Sequence, residues 1–255
     1  MEITEEQYAR IKDSLPVQRG NVSLTNLQVL NAILYVAEQG CKWRGLPKRF
    51  GRWHTIYMRM NRWAKNGVLD RVFEQLQLEQ IVRIRIEAFS LDSTSVKVHP
   101  DGTGALKKNG PQAIGKSRGG WNTKVHMVAA DARTAVIFAL SPGNDHDAPH
   151  DGRALLEELG PMPEGLPMLM DRAYEGNETR QLVLDLGMIP VVPPKSNRLH
   201  PWDYDHAVYK KRNEIERLFR RLKGFRRIFS RFEKLDVLFL GFLSFALIVE
   251  ALRVV

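Results

Sequence analysis

Near residue 84 the pattern of the chain changes from helical to extended, and the extended segment carries a carboxylate in its middle. Ile86-Glu87-Ala88-Phe89-Ser90-Leu91 leads into Asp92, and Ser93-Thr94 is followed by Val96-Lys97-Val98. An aspartate where a strand ends is commonly a turn residue. Here the extended pattern resumes beyond it, so the strand does not turn at Asp92. A carboxylate inside a strand is expensive unless it is paired or binds a metal.

A second stretch supplies charge of both signs. Tyr209 to Lys223 reads YKKRNEIERLFRRLK. On a continuous helix Tyr209, Arg212, Glu216 and Lys223 fall within an arc of about 60°. One carboxylate then stands among a guanidinium, an ammonium and a phenol, with Lys210, Lys211, Arg217, Arg220 and Arg221 around the helix and Arg226 and Arg227 just beyond. That arrangement suits a metal ion working on a polyanion. An amphipathic helix with an ordinary Arg212–Glu216 ion pair explains the same residues.

The spacing Tyr209-x2-Arg212-x3-Glu216-x6-Lys223 resembles the Y-R-E-K signature of DDE transposases of bacterial insertion sequences, in the family named after insertion sequence five. The resemblance implies two upstream aspartates at strand ends. Asp92 is one. The other is Asp171, which follows the short apolar run Leu166–Met170 and opens Asp171-Arg172-Ala173-Tyr174, similar to the family's Asp-Arg/Lys-Ala/Gly-Tyr pattern. Gly143-Asn144-Asp145-His146-Asp147 resembles its Gly-Asn-x-His-Asp motif. Only one helix, one strand and a loop are expected between Asp171 and Glu216, without the large β-rich insertion of some related transposases.

The resemblance implies an RNase-H-like fold on which Asp92, Asp171 and Glu216 converge to hold two magnesium ions, with manganese as substitute. It makes Arg212 and Lys223 phosphate contacts and puts Tyr209 against the site. It implies double-stranded DNA as partner, both transposon ends and target, and a homodimer on that DNA. The expected location is the bacterial cytoplasm, with the nucleoid. The expected activity is binding of terminal inverted repeats, cleavage of the ends and joining of the 3′-hydroxyls to target DNA. A nuclease that cuts without transposing and a non-catalytic DNA-binding regulator are the alternatives. The second leaves Asp92, Asp171 and Glu216 unexplained.

The totals agree with a polyanionic partner: the formal net charge is +9 and the pI about 9.7, which favours nucleic acid over a membrane surface. One cysteine, Cys41, excludes an internal disulfide and a multi-cysteine zinc site. The N-terminus has no basic-then-apolar signal pattern. The most apolar run, Val237–Val249, is shorter than the roughly 20 residues needed to span a bilayer. It reads as a buried helix, expected to pack on the sheet.

Four helices are expected before residue 84: one opened by a capping box at Thr4-Glu5-Glu6-Gln7 and ended by Pro16, one opened at Ser23 or Thr25 and closed by Gly40, one over 52–66, and one over 69–82. On the third, Trp53, Ile56, Tyr57, Met60 and Trp63 line one face, while Thr55, Arg59, Arg62 and Lys65 face away. An apolar stripe backed by a basic one, after a helix and a turn, suggests helix-turn-helix DNA binding. The glycine-rich segment 100–120 carries Lys107, Lys108, Lys116 and Arg118, suited to a loop that orders on a DNA backbone. Arg220 and Arg226 complete the expected DNA contacts. Beyond residue 84, strands followed by alternating helices and strands give an α/β domain with a mixed sheet. The expected domains are thus 1–84, small, all-α and DNA-binding, and 85–255, catalytic.

Overall fold

A computed structural model describes residues 2–83, 86–104, 106, 109–145, 148–162 and 164–253. Lys107, Lys108, His146, Asp147 and the expected domain boundary at 84/85 lie outside the described residues. The chain divides into two compact units, Met1–Gln80 with Val98–Gln112 and Arg221–Val255, and Ile81–Lys97 with Ala113–Arg220.

In the first unit the helices begin where the capping residues put them. Thr4 caps α1 (Glu5–Ala9) and Thr25 caps α2 (Asn26–Gln39), each by a reciprocal capping box with a glutamine three residues on. Gly40 closes α2 in the left-handed region, at φ 67°. The first helix is shorter than expected, because a 3-10 turn over Lys12–Ser14 takes the chain to Pro16. Helices α3 (Trp53–Lys65) and α4 (Val68–Arg83) follow. Ile56, Met60, Trp63 and Ala64 form the buried face of α3.

The last helix of this unit, α10 (Asp236–Leu252), is apolar nearly all round. It was expected on the sheet; its packing is instead against α3. Gly241 makes that possible, since a Cβ there would stand 2.7 Å from the Ala64 Cβ. Trp43 packs on Phe242 with ring centroids 6.0 Å apart. Two arginines counted in the net charge are interior. Arg227 donates to Glu233 Oε1 at 2.9 Å and to the Cys41 carbonyl at 2.6 Å. Arg231 is fully buried and donates to the Glu233 carbonyl at 2.8 Å and to Asp236 Oδ1 at 2.7 Å. Burial pushes the Glu233 carboxyl up, and Arg227 opposes that shift.

The second unit is built on a mixed sheet. Strand β1 (Phe89–Val98) pairs antiparallel with β3 (Gly120–Ala129), which pairs antiparallel with β4 (Ala135–Pro142). On the other side of β1, β5 (Pro167–Met170) and β6 (Ile189–Val191) run parallel to it. The order β4-β3-β1-β5-β6, three antiparallel strands followed by two parallel ones reached through helices, is the RNase-H-like arrangement expected above. A short strand, β2 (Gly115–Ser117), pairs with the start of β3, inside the segment read from sequence as loop. Asp131 is the turn residue it was expected to be, accepting from the amides of Arg133 and Thr134.

Helices α5 (Ala148–Leu159) and α6 (Asn177–Asp185) cover one sheet face, where Leu91, Val128, Met168 and Met170 meet Leu155, Leu156 and Val183. A polar trio lies near this layer. His126 on β3 is fully buried, its Nε2 2.8 Å from Ser141 Oγ and 3.2 Å from Asp151 Oδ2. Burial holds the imidazole pKa below its ordinary value; Asp151 and Asp145 work against that shift and Lys124 with it.

Two outcomes follow from these interiors. Gly241→Val forces a β-branched side chain against Ala64, Met60 and Leu69. It should cost about 1–3 kcal/mol, read as a lower urea midpoint. His126 stays neutral in the folded chain to a lower pH than in the unfolded chain, so the unfolded state takes up the extra proton first. Stability should be full above the ordinary histidine range and fall as pH drops through it; urea midpoints between pH 7 and 5 should slope less in His126→Leu.

Candidate active site

The sheet register sets two carboxylates one residue beyond the last parallel pair of β1 and β5. Leu91 pairs with Met170 across the parallel strands, and both belong to the core under α5 and α6. Side chains alternate along strands, so the next residues, Asp92 and Asp171, point to the opposite face. Asp92 sits within β1 opposite Met127 of β3, and Asp171 stands just past the end of β5. Each turns one oxygen back on the chain: Asp92 Oδ1 accepts the Ser93 amide and Asp171 Oδ1 the Arg172 amide, both at 2.7 Å.

The face to which Asp92 and Asp171 point is covered by the segment carrying the Y-R-E-K residues. Asp205 caps a short helix, α7 (His206–Tyr209). Tyr204, Val208 and Tyr209 pack on Ala88, Leu169 and Val191. A continuous helix over 209–223 does not form. Lys210–Arg212 is a 3-10 turn and α8 runs Asn213–Leu222, leaving Lys223 beyond its end and in the first unit. The tighter turn resets the angle between Tyr209 and Arg212, so the 60° arc of a regular helix does not describe this segment.

Arg212 joins what the turn and helix present. Nη1 donates to Asp92 Oδ2 at 2.9 Å and Nη2 to Glu216 Oε1 at 2.6 Å. Its Cζ lies 5.9 Å from the Tyr209 ring centroid. Burial opposes the guanidinium charge, but Asp92, Tyr209, Glu216 and Asp171 together raise its pKa. Burial also pushes the Asp92 carboxyl up; the Ser93 amide and Arg212 pull it down, and the charges of Asp171 and Glu216 push the same way as burial. Tyr209 is raised, chiefly by burial.

The donor set is Asp92 with two further carboxylates, Asp171 and Glu216, whose charges act on it; in kind it fits hard divalent cations that prefer oxygen ligands. Among the described residues, no three His, Cys, Asp or Glu side chains are grouped closely enough to hold a metal ion.

The remaining sequence candidates are spread out. On α3, Thr55, Arg62 and Lys65 are exposed. Arg59 is half-buried and donates to the Leu24 carbonyl at 3.1 Å, so it ties the entry to α2 within the helical unit. Lys116 on β2 and Arg118 in the following turn are exposed, as are Arg220 on α8 and Arg226 on α9 (Arg226–Phe229). Burial lowers the Lys223 pKa. Glu175 is buried in ion pairs with Arg198 at 2.6 Å and Lys195 at 3.3 Å. No described helix is long and apolar enough to cross a membrane.

Sequence reasoning passed over Tyr174. It is buried, and its ring would lie 2.5 Å from a Cβ at Gly152 of α5. Burial drives its hydroxyl pKa above the usual range, with Asp92 and Asp171 adding to the shift. The signal available was its place in Asp171-Arg172-Ala173-Tyr174.

Comparison with known proteins gives the family. Residues 3–73 match "Putative transposase of IS4/5 family (DUF4096)" and residues 84–249 match "Transposase DDE domain". An uncharacterised protein of Sinorhizobium fredii is 32% identical over 112 residues, covering 42% of this chain and 86% of its own. A Brucella ovis protein described as "Putative transposase for insertion sequence element IS6501" is 30% identical over 128 residues, covering 49% of this chain and 93% of its own. Among solved structures, a piggyBac transposase synaptic complex with hairpin DNA aligns over 77% of this chain at 10% identity and TM-score 0.42; this chain spans about half of it, 48%. A Mos1 transposase paired-end complex aligns over 88% of this chain and 83% of its own at 13% identity and TM-score 0.26. The family matches cover both halves of the sequence, and the chain belongs to the DDE transposases of insertion sequences.

Proposed function

We propose that this transposase binds the terminal inverted repeats of its element, cleaves the ends and joins the freed 3′-hydroxyls to target DNA. The observation that carries the reading is the parallel register Leu91–Met170, which sets Asp92 and Asp171 one residue further along neighbouring chain segments, with Glu216 tied to Asp92 through Arg212. Asp92, Asp171 and Glu216 would hold two magnesium ions, or manganese in their place. Ions held there would supply activation of a water or a 3′-hydroxyl and stabilisation of the leaving oxygen. The protein's own part in phosphoryl transfer is positioning and charge stabilisation. Arg212 and Lys223 steady phosphates, and Tyr209 fixes the segment that carries Arg212 against the sheet. None of these roles needs a serine or cysteine nucleophile.

Residues 1–84 are proposed to recognise the element's ends and 85–255 to do the chemistry. On the third helix the exposed Thr55, Arg62 and Lys65 are the groups proposed to meet bases or phosphates. Arg59 would act by holding the helical unit in shape. Lys107, Lys108, Lys116, Arg118, Arg220 and Arg226 are proposed as backbone contacts. The partner is duplex DNA, the working form a homodimer that holds two ends, and the place of action the bacterial nucleoid.

Incubation with duplexes from the element's ends and magnesium should give nicked and joined products. Asp92→Asn, Asp171→Asn and Glu216→Gln should each abolish both. Nicking without joining would indicate a nuclease, and products that persist in all three variants would mean other residues do the chemistry. Arg62→Glu with Lys65→Glu should weaken binding to end DNA at least tenfold, by analogy with losing phosphate contacts. Gel-shift titration reads this; unchanged affinity removes the third helix from the interface.

A further inference from the structure

Two of the three carboxylates proposed to hold metal, Asp92 and Glu216, share a cation. One Asp92 oxygen accepts from Arg212 at 2.9 Å and the other from the Ser93 amide at 2.7 Å. The second guanidinium nitrogen of Arg212 takes Glu216 at 2.6 Å. The Asp92 and Arg212 side chains are only 16% and 20% exposed, so water screens the pair weakly. A planar guanidinium bridging two carboxylates in this way is a strong, geometrically specific contact. A divalent ion ligated by the same oxygens would sit against the guanidinium, and two cations at that range repel.

We propose that Arg212 is an internal competitor for the metal site: a divalent ion loads on Asp92 and Glu216 only as the guanidinium leaves them. This inference rests on the reading of Asp92 and Glu216 as metal ligands. Its consequence is that Arg212 lowers metal affinity, although it is the residue that neutralises these carboxylates. A purely structural Arg212 would do the reverse, since its loss would loosen the ligands and weaken metal binding.

The test is calorimetric titration of the full chain with Mn²⁺, without DNA, on wild type, Arg212→Gln, Arg212→Lys, Arg217→Gln and Asp92→Asn. Arg212→Gln should bind Mn²⁺ about tenfold more tightly than wild type, within the usual span of coupling between two binding events. Arg212→Lys keeps the charge but cannot bridge both carboxylates, and it should also bind more tightly. Arg217 pairs with Glu214 at 2.7 Å on the same helix, and its loss should leave Mn²⁺ affinity unchanged. Thermal melts establish that each variant is folded; if Arg212→Gln is not, Arg212→Lys decides alone. Equal or weaker Mn²⁺ binding in the Arg212 variants overturns the inference, as does an equal gain in Arg217→Gln, which would be a general charge effect. Mn²⁺ binding that survives Asp92→Asn, or is absent from every variant, overturns the reading of the carboxylates themselves.

Discussion

A half-buried aspartate in the middle of a strand is the constraint around which the second unit is arranged. Burial alone would push Asp92 toward its neutral form, and the nearby charges of Asp171 and Glu216 push the same way. What opposes them is one backbone amide and one guanidinium. That guanidinium reaches Asp92 because Tyr209 anchors its segment to the sheet and a 3-10 turn, not a regular helix, follows. The fold therefore spends stability to keep a carboxylate where it can be useful, as strained or polar sites commonly do.

Much of this was legible in the sequence, and for local reasons. The strand through Asp92, the two capping boxes and the Gly40 stop are set by residues that act within a few positions of themselves. The placing of β5 beside β1 was legible only through resemblance, because register across parallel strands is not written in either strand alone. Three features escaped. Strand β2 is three residues long in a glycine-rich segment, too short to show an alternation. The 3-10 turn at 210–212 has no composition cue, since lysine and arginine suit an α-helix equally well. The partner of α10 could not be read because a helix apolar all round declares burial, but not against what.

Charge was the other place where sequence misled. Arg227 and Arg231 count toward the net positive charge, yet both are interior, and Arg59 is committed to a backbone carbonyl. Net charge points to a polyanionic partner, but it overstates how many cations the surface offers. Burying an arginine with a glutamate is neutral in charge and weak as a source of stability. Its effect here is to tie residues 227–236 to one another and, through the Cys41 carbonyl, to the turn after α2.

The pairing of α10 with α3 bears on how the protein is made. The helices proposed to recognise DNA leave the ribosome before α10, but the part of their apolar face formed by Met60, Ala64 and Leu69 that meets Gly241 is covered only when α10 has emerged. A chain interrupted late in translation would thus present those helices with an uncovered apolar face. Such a fragment should be a target for proteases and chaperones instead of a stable folded unit. The packing of α10 on α3 thus makes the stability of the N-terminal helices depend on a segment made much later.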